Sequence, residues 1–502
     1  MSQKELKEAF VSNLNGTSLG EVSLGSVLAP LCLMSRGLVL VLYYLGKGVL
    51  PFTWKVHLLM DFTFLILPLV LSCTILSDFL QVVILSLAAI NTSLLFSVYY
   101  RKKHSSSVHS RDVFKNFLQI NLETNRIPFV SLFRVLVNVK TAISILAVDF
   151  SVFPRRYAKA ETYGTGVMDF GVGAYIFANA LVCPEARRKE VYVSKISYVA
   201  KQLLSVWPLA LLGMARLISL KVTGYHEHVT EYGVHWNFFF TLAVVRVVAS
   251  VILALFPVNR SWFCALIIGG LYQTTLEMTE LKSFIIHNSD RMGGFLSANK
   301  EGVFSVIGYI AIYLAGVQVG LYVMQARTLV KDWIKAVCNL LLGSFGLFAF
   351  LYVCQTFIEP VSRRMANLSF CVWTVAQSLF FLSCFGIADI VLVFSKSLAN
   401  CTLISSSWNP IKNAKSETLS AEKIRDKMEG FCLIQAVNRN QLLFFLLANI
   451  FTGFTNAVVD TVSCNNFHSV CVLLCYMFMN CFIIFILHLK KIQQSSGNLF
   501  LF

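Results

Sequence analysis

From Thr461 to Leu489 the chain carries no Lys, Arg, Asp or Glu, and a helix needs only about 20 apolar residues to cross a hydrocarbon core. Uncharged stretches of the same kind occupy 79–100, 302–326, 336–358, 365–388 and 440–459. Apolar stretches that are shorter, or interrupted by an ionisable residue or two, lie near 24–46, 58–77, 131–149, 168–183, 199–220, 235–256 and 261–279. Together they predict an all-α polytopic membrane protein of about 13 transmembrane helices. Composition agrees: 56% of residues are hydrophobic and 14% charged, against about 25% charged in soluble domains.

The first twenty residues are polar, so the first span is expected to stay as a signal-anchor, not to be cleaved. Most of the 14 cysteines, among them Cys73, Cys264, Cys338 and Cys471, sit inside apolar stretches without a Cys-x-x-Cys pair. They read as small buried hydrophobes. No internal repeat or soluble domain is visible, and residues 1–502 read as one membrane domain. The polar segment 396–439 reads as a mobile cytosolic loop within it.

An odd number of spans puts the termini on opposite sides, and Lys and Arg in short loops choose between the two arrangements. The alternating set that includes Arg101–Lys103, Arg187–Lys189, Arg327–Lys335, 396–439 and Lys490–Lys491 holds roughly twice as many basic residues as the other set. That set is expected in the cytosol, with the N-terminus lumenal and the C-terminus cytosolic. The sequon at Asn15 then faces the glycosylation-competent side. The net charge of +16 answers an anionic leaflet and calls for no nucleic acid.

Lumenal loops carry charges that orientation does not explain. The segment from Ala147 to Gly173 holds Asp149, Arg155, Arg156, Lys159, Glu161 and Asp169 among aromatic and glycine residues. Asp149, beside Phe150 and Phe153, is expected to be partly desolvated, as a general base requires, and Lys159 can stabilise developing negative charge. An ordinary ion pair that fixes the loop explains the same two residues. Arg155 and Arg156 after Pro154 sit where a helix would begin, which an anion such as a lipid phosphate would relieve; unspecific headgroup contact is the alternative. Gly164-Thr165-Gly166 reads as a loop turn.

The second lumenal block, 224–237, contains His226, His228, Glu231, His235, Trp236 and Asn237. It lacks the spacing of a zinc helix, and no metal site is expected. It suits a sugar or headgroup surface, or an interfacial belt, with His235 as a second base. The stretches 288–302 and 359–367 close over a substrate or form solvated turns. Inside the spans, Arg134, Lys140, Arg216, Arg246, Glu277 and Asp389 are costly. Arg216 and Arg246 are expected to face the interior and to pair with Glu277 or touch a phosphate.

The block Ala147–Gly173, the run Glu231-Tyr232-Gly233-Val234-His235-Trp236-Asn237-Phe238-Phe239-Phe240, the opening 7–16, Arg363–Leu368 and 438–453 resemble the phosphatidylinositol-glycan biosynthesis class W family and its fungal wall-transfer relatives. The resemblance covers nearly the whole chain, apart from 398–430 and the last dozen residues. It implies an endoplasmic-reticulum acyltransferase that moves a fatty acyl group, usually palmitoyl, from acyl-CoA to the inositol 2-hydroxyl of glucosaminyl-phosphatidylinositol. Acyl-CoA is then a co-substrate, and no bound cofactor is implied. The family's catalytic carboxylate and lysine fall on Asp149 and Lys159. With them we place Arg155, Arg156, Asp169, Glu231, His235, Trp236 and Asn237 as substrate-binding. A lipid transporter or a non-catalytic subunit is the alternative.

Overall fold

The computed structural model describes residues 12–51, 53–105, 110–124, 126–187, 194–223, 229–401, 404–411 and 427–498. Among them there is no strand, only isolated bridges. The long helices in chain order are α1 (Leu19–Lys47), α2 (Trp54–Ser72), α3 (Leu80–Ser105), α4 (Pro128–Ala147), α5 (Val167–Ala180), α6 (Lys195–Thr223) and α7 (Phe238–Leu255). They continue as α8 (Ser261–Met278), α9 (Lys300–Val323), α10 (Val330–Phe357), α11 (Leu368–Ala399), α12 (Gln441–Val458) and α13 (Asn466–Asn498). Eleven helices among the described residues have the length and composition to span a membrane. The expected spans near 168–183 and 261–279 are helices too, but α5 has only 14 residues and α8 carries Gln273 and Glu277 near its end, so neither meets that standard.

Local chemistry explains the helix boundaries. Pro128 opens α4 at a position where a missing N–H costs nothing. Asn237 caps α7, its Oδ1 accepting from Phe239 N at 3.0 Å and Phe240 N at 3.3 Å. Midway along α2, residues Phe62–Ile66 widen into a π turn immediately after the buried Asp61.

The chain falls into two compact units. The first comprises 1–22, 155–325 and 342–379. Its central helix is α9, which packs against α5, α7 and α8. Small residues let the backbones approach: a side chain at Gly316 would meet Ala180, and one at Gly308 would fall 2.0 Å from Ala366 O. Its outer helix α6 presents Leu203, Leu204, Trp207, Leu211 and Met214 outward, the apolar face that lipid requires.

The second unit comprises 23–154, 326–341 and 380–502, with α4 packed on α12 and α13. Arg36 and Asp61, absent from the expected intramembrane charges, form a pair at 2.5 Å with side chains 1% and 0% exposed. The segment 396–439 differs from expectation in its described parts, which are packed and not free. Trp408 lies against Trp333, ring centroids 4.7 Å apart. The buried Lys396 ammonium donates to Ile404 O, Trp408 O and Asn409 Oδ1. The cause is burial: a lysine inside a helix bundle must find acceptors, and it orders the chain that supplies them. Residues 402–403 and 412–426 lie outside the described residues.

Candidate functional site

Asp149 follows the last turn of α4, its N–H donating to Leu146 O at 3.2 Å. It is half-buried, and its neighbours Phe150 and Phe153 are sealed from solvent. Asn456 Nδ2, from the last turn of α12, donates to Asp149 Oδ2 at 2.7 Å. These contacts lie within the second unit. The expected partial desolvation is there, together with a carboxamide partner that spacing in sequence does not reveal.

Lys159 belongs to the first unit, on the loop between a 3-10 turn at Arg155–Tyr157 and α5. Its ammonium meets Glu231 Oε2 at 2.5 Å and lies 5.8 Å from the centre of the Tyr232 ring. The partner that answers Lys159 is thus Glu231, the acid of the block 224–237. Arg156 Nε donates to Glu21 Oε1 at 3.0 Å, and the Tyr157 hydroxyl donates to the same oxygen at 2.8 Å. Glu21, two residues into α1, supplies the negative charge that Arg156 was expected to seek from a ligand. Arg155 opens the 3-10 turn, and its carbonyl accepts from Ala158 N.

Asp169 is fully buried. Its Oδ2 accepts from Ala160 N at 2.9 Å and Gly166 N at 3.0 Å, while Oδ1 meets Arg363 Nε at 2.7 Å. Those bonds tie the loop to the first turn of α5. Thr165 is bridged to the N-terminal segment, Thr17 N to Thr165 O at 2.7 Å. Gly164, at φ +142°, has only 2.1 Å of room before Asn15 O, so its glycine admits a close backbone approach. Asn15 itself is exposed.

In the second block, His235 presents an exposed ring while its backbone N–H donates to Asn299 Oδ1 at 2.7 Å. Trp236 Nε1 donates to Thr241 Oγ1 at 2.9 Å. Asn237 is buried, and both ends of its carboxamide are engaged, by the α7 cap and by Gly213 O at 2.9 Å. His226 and His228 lie outside the described residues.

Glu359 joins the same surface from 359–367. It receives the Tyr163 hydroxyl at 2.6 Å, Lys282 Nζ at 2.8 Å, Asn367 Nδ2 at 3.0 Å and Gln273 Nε2 at 3.1 Å. Burial opposes its ionisation, but those donors outweigh it and hold the carboxyl below its ordinary range. Tyr163 is pushed up to about 12 by burial and by Glu359, and the bond to Glu359 raises Lys282. Arg291 grips Glu301 with both terminal nitrogens, at 2.7 and 2.8 Å, and Arg364 adds a third contact at 3.0 Å. Glu277 engages Lys282 and Gln273. The expected pairing of Arg246 with Glu277 is replaced by bonds from Arg246 to Gln202 and Tyr313. Glu21 escaped assignment from sequence, and Glu359 and Arg363 were read only as part of the stretch 359–367; the signal each left was a charge at the edge of an apolar stretch.

Eleven helices with the length and composition of membrane spans, and no strand among the described residues, define a polytopic membrane protein. A sequence model of the GWT1 family matches residues 3–487. The chain is 47% identical to the glucosaminyl-phosphatidylinositol-acyltransferase PIGW of Mus musculus, over 98% of this chain and 99% of that protein. It is 46% identical to that of Homo sapiens over the same shares. It is 33% identical to the GPI-anchored wall transfer protein 1 of Yarrowia lipolytica, again over 98% and 99%. The chain belongs to the GWT1 family.

Proposed function

We propose that this chain is an O-acyltransferase that moves a fatty acyl group, palmitoyl, from acyl-CoA to the inositol 2-hydroxyl of glucosaminyl-phosphatidylinositol in the endoplasmic-reticulum membrane. The reading is carried by its full-length likeness to mammalian proteins that bear that enzyme's name. Asp149, half-buried and followed by the sealed Phe150 and Phe153, has the setting of a base that works out of bulk water. Asp149 takes the hydroxyl proton as the inositol oxygen attacks the thioester carbonyl. The Lys159 ammonium stabilises the tetrahedral oxyanion. Collapse breaks the carbon–sulfur bond, and the departing thiolate takes the proton from Asp149, leaving acylated inositol and free CoA. A thioester is activated already, so neither a Ser nor a Cys nucleophile enters the reaction. Arg155 and Arg156 hold a phosphate of the lipid or of coenzyme A, Glu231 orients Lys159, and His235 is the second candidate base. Asp169, Trp236 and Asn237 act on the substrate through the loops they frame.

The topology we propose has about 13 crossings, N-terminus lumenal and C-terminus cytosolic. Its support is the company the loops keep within the first unit. Segments 12–17, 155–169, 229–237, 288–301 and 359–367 bond to one another. With α6 and α7 taken as crossings, α5 must cross too for 155–166 and 229–237 to share a side, and α8 must cross too for 237 and 288 to share it. α5 spans only about 21 Å, which a helix buried among others tolerates. Asn15 is then open to glycosylation.

Purified protein incubated with labelled palmitoyl-CoA and glucosaminyl-phosphatidylinositol should yield lipid acylated on inositol. Folded protein that binds both and transfers nothing would overturn the enzyme reading in favour of transport or a subunit role.

A further inference from the structure

Arg246 stands near the middle of α7, about 12 Å of helix from either end, too deep for its side chain to reach either surface easily. Its Nε and one terminal nitrogen donate to Gln202 Oε1 at 3.2 and 2.9 Å, and the other terminal nitrogen donates to the Tyr313 hydroxyl. Both partners are neutral. A guanidinium has five N–H bonds, so two stay without an acceptor among the described residues. No carboxylate there forms an ion pair with it. Glu185 acts on it through the field and not through contact. Arg246 as a residue is only half-buried.

A second group points the same way. Ser250 lies one turn along the same face of α7, is 1% exposed, and its hydroxyl has no hydrogen-bond partner among the described residues. A guanidinium with two uncommitted N–H bonds and an unpartnered hydroxyl one turn apart on a membrane helix match a tetrahedral oxyanion. On the outward face of the same helix as Gln202, Leu203 and Trp207 are 52% and 61% exposed, apolar surface for a hydrocarbon tail.

We propose that Arg246, Ser250, Gln202 and Tyr313 form an anion subsite that takes a phosphate group of an amphiphile. Acyl-CoA and a phospholipid headgroup both carry that chemistry. The proposal goes beyond acyl transfer and stands apart from the role of Asp149, because it is tested by binding and needs no turnover.

The full chain in phosphatidylcholine nanodiscs is titrated separately with radiolabelled palmitoyl-CoA and with fluorescent phosphatidylinositol. Arg246→Gln should weaken one ligand by about 10- to 100-fold, the loss expected for charge-assisted hydrogen bonds. Gln202→Glu sets a carboxylate against the guanidinium, so it should weaken the same ligand while keeping or raising the melting temperature. Loss of palmitoyl-CoA alone identifies the coenzyme phosphate, loss of phosphatidylinositol alone the lipid phosphate, and loss of both a subsite open to either. Two folded variants that bind both ligands like the unaltered protein would overturn the proposal. So would weak binding by an unfolding Arg246→Gln beside normal binding by Gln202→Glu.

Discussion

Arg363 Nε lies 2.7 Å from Asp169 Oδ1, with the two side chains 3% and 0% exposed. The other oxygen of the same carboxylate holds the N–H groups of Ala160 and Gly166. One buried carboxylate therefore fixes both ends of the loop that follows Lys159. Taking these charges out of water is costly, so the pair is worth most as a device that specifies the loop.

Removing one partner should be worse than removing both. Asp169→Asn leaves Arg363 buried without its counter-ion, and the expected loss is about 3–5 kcal/mol of stability. Asp169→Asn combined with Arg363→Met should recover part of the lost melting temperature in detergent. An Asp169→Asn protein that melts like the unaltered one would show that the pair is not holding the loop.

Lys159 and Glu231 present the opposite case, because their side chains are 23% and 24% exposed. Breaking that pair should change stability by under about 1 kcal/mol. Its effect belongs to the reaction: Glu231→Gln is expected to lower acyl transfer by about 10-fold, and Lys159→Met by about 100-fold or more. Initial rates with saturating palmitoyl-CoA test both, and full activity in Lys159→Met would remove the ammonium from the mechanism.

The cluster around Glu359 predicts a two-sided pH dependence of stability. Its carboxyl is held below the ordinary value of 4.5, so its contribution is present above that pH and is lost as pH falls through the lowered value. Lys282 is raised above 10.5, and Tyr163 is raised from 10.0 to about 12. Both contribute below their ordinary values and lose that contribution as pH rises through the raised ones. Melting temperature should hold between roughly pH 5 and 9.5 and decline on either side. Glu359→Gln should flatten the acid limb, and an unchanged acid limb would assign the decline to other groups.

Legibility in the sequence followed the physics of each feature. The long uncharged stretches could be read because lipid leaves few other folds for them. The helices α5 and α8 were legible as helices, although their lengths and polar ends leave them outside the spans defined by composition. Asp149, Lys159 and Glu231 could be picked out as charges beside aromatic residues at a span edge, but the roles of the first two came from the family resemblance and not from that pattern. The partners of Asp149 and Arg156 did not stand out: Asn456 lies 307 residues from Asp149, and Glu21 lies 135 from Arg156. Such pairings arise from tertiary packing, which no local pattern carries. Arg36 and Asp61 were missed for the same reason, each looking like an isolated charge until α1 and α2 are side by side.

The strongest test of the site concerns Asp149 and separates chemistry from architecture. Asn456 Nδ2 donates to Asp149 Oδ2, and an asparagine at 149 can offer its own carbonyl oxygen to that donor. Asp149→Asn should therefore fold, melt within a few degrees of the unaltered protein, and keep its affinity for both substrates. What it cannot do is accept the inositol proton, so transfer should fall by about 100- to 10,000-fold. Asn456→Ala makes the complementary change: the carboxylate stays but loses a fixed donor, and activity should drop less, by about 10-fold. If Asp149→Asn retains activity within about 3-fold, the base lies elsewhere. The exposed ring of His235 then becomes the group to replace.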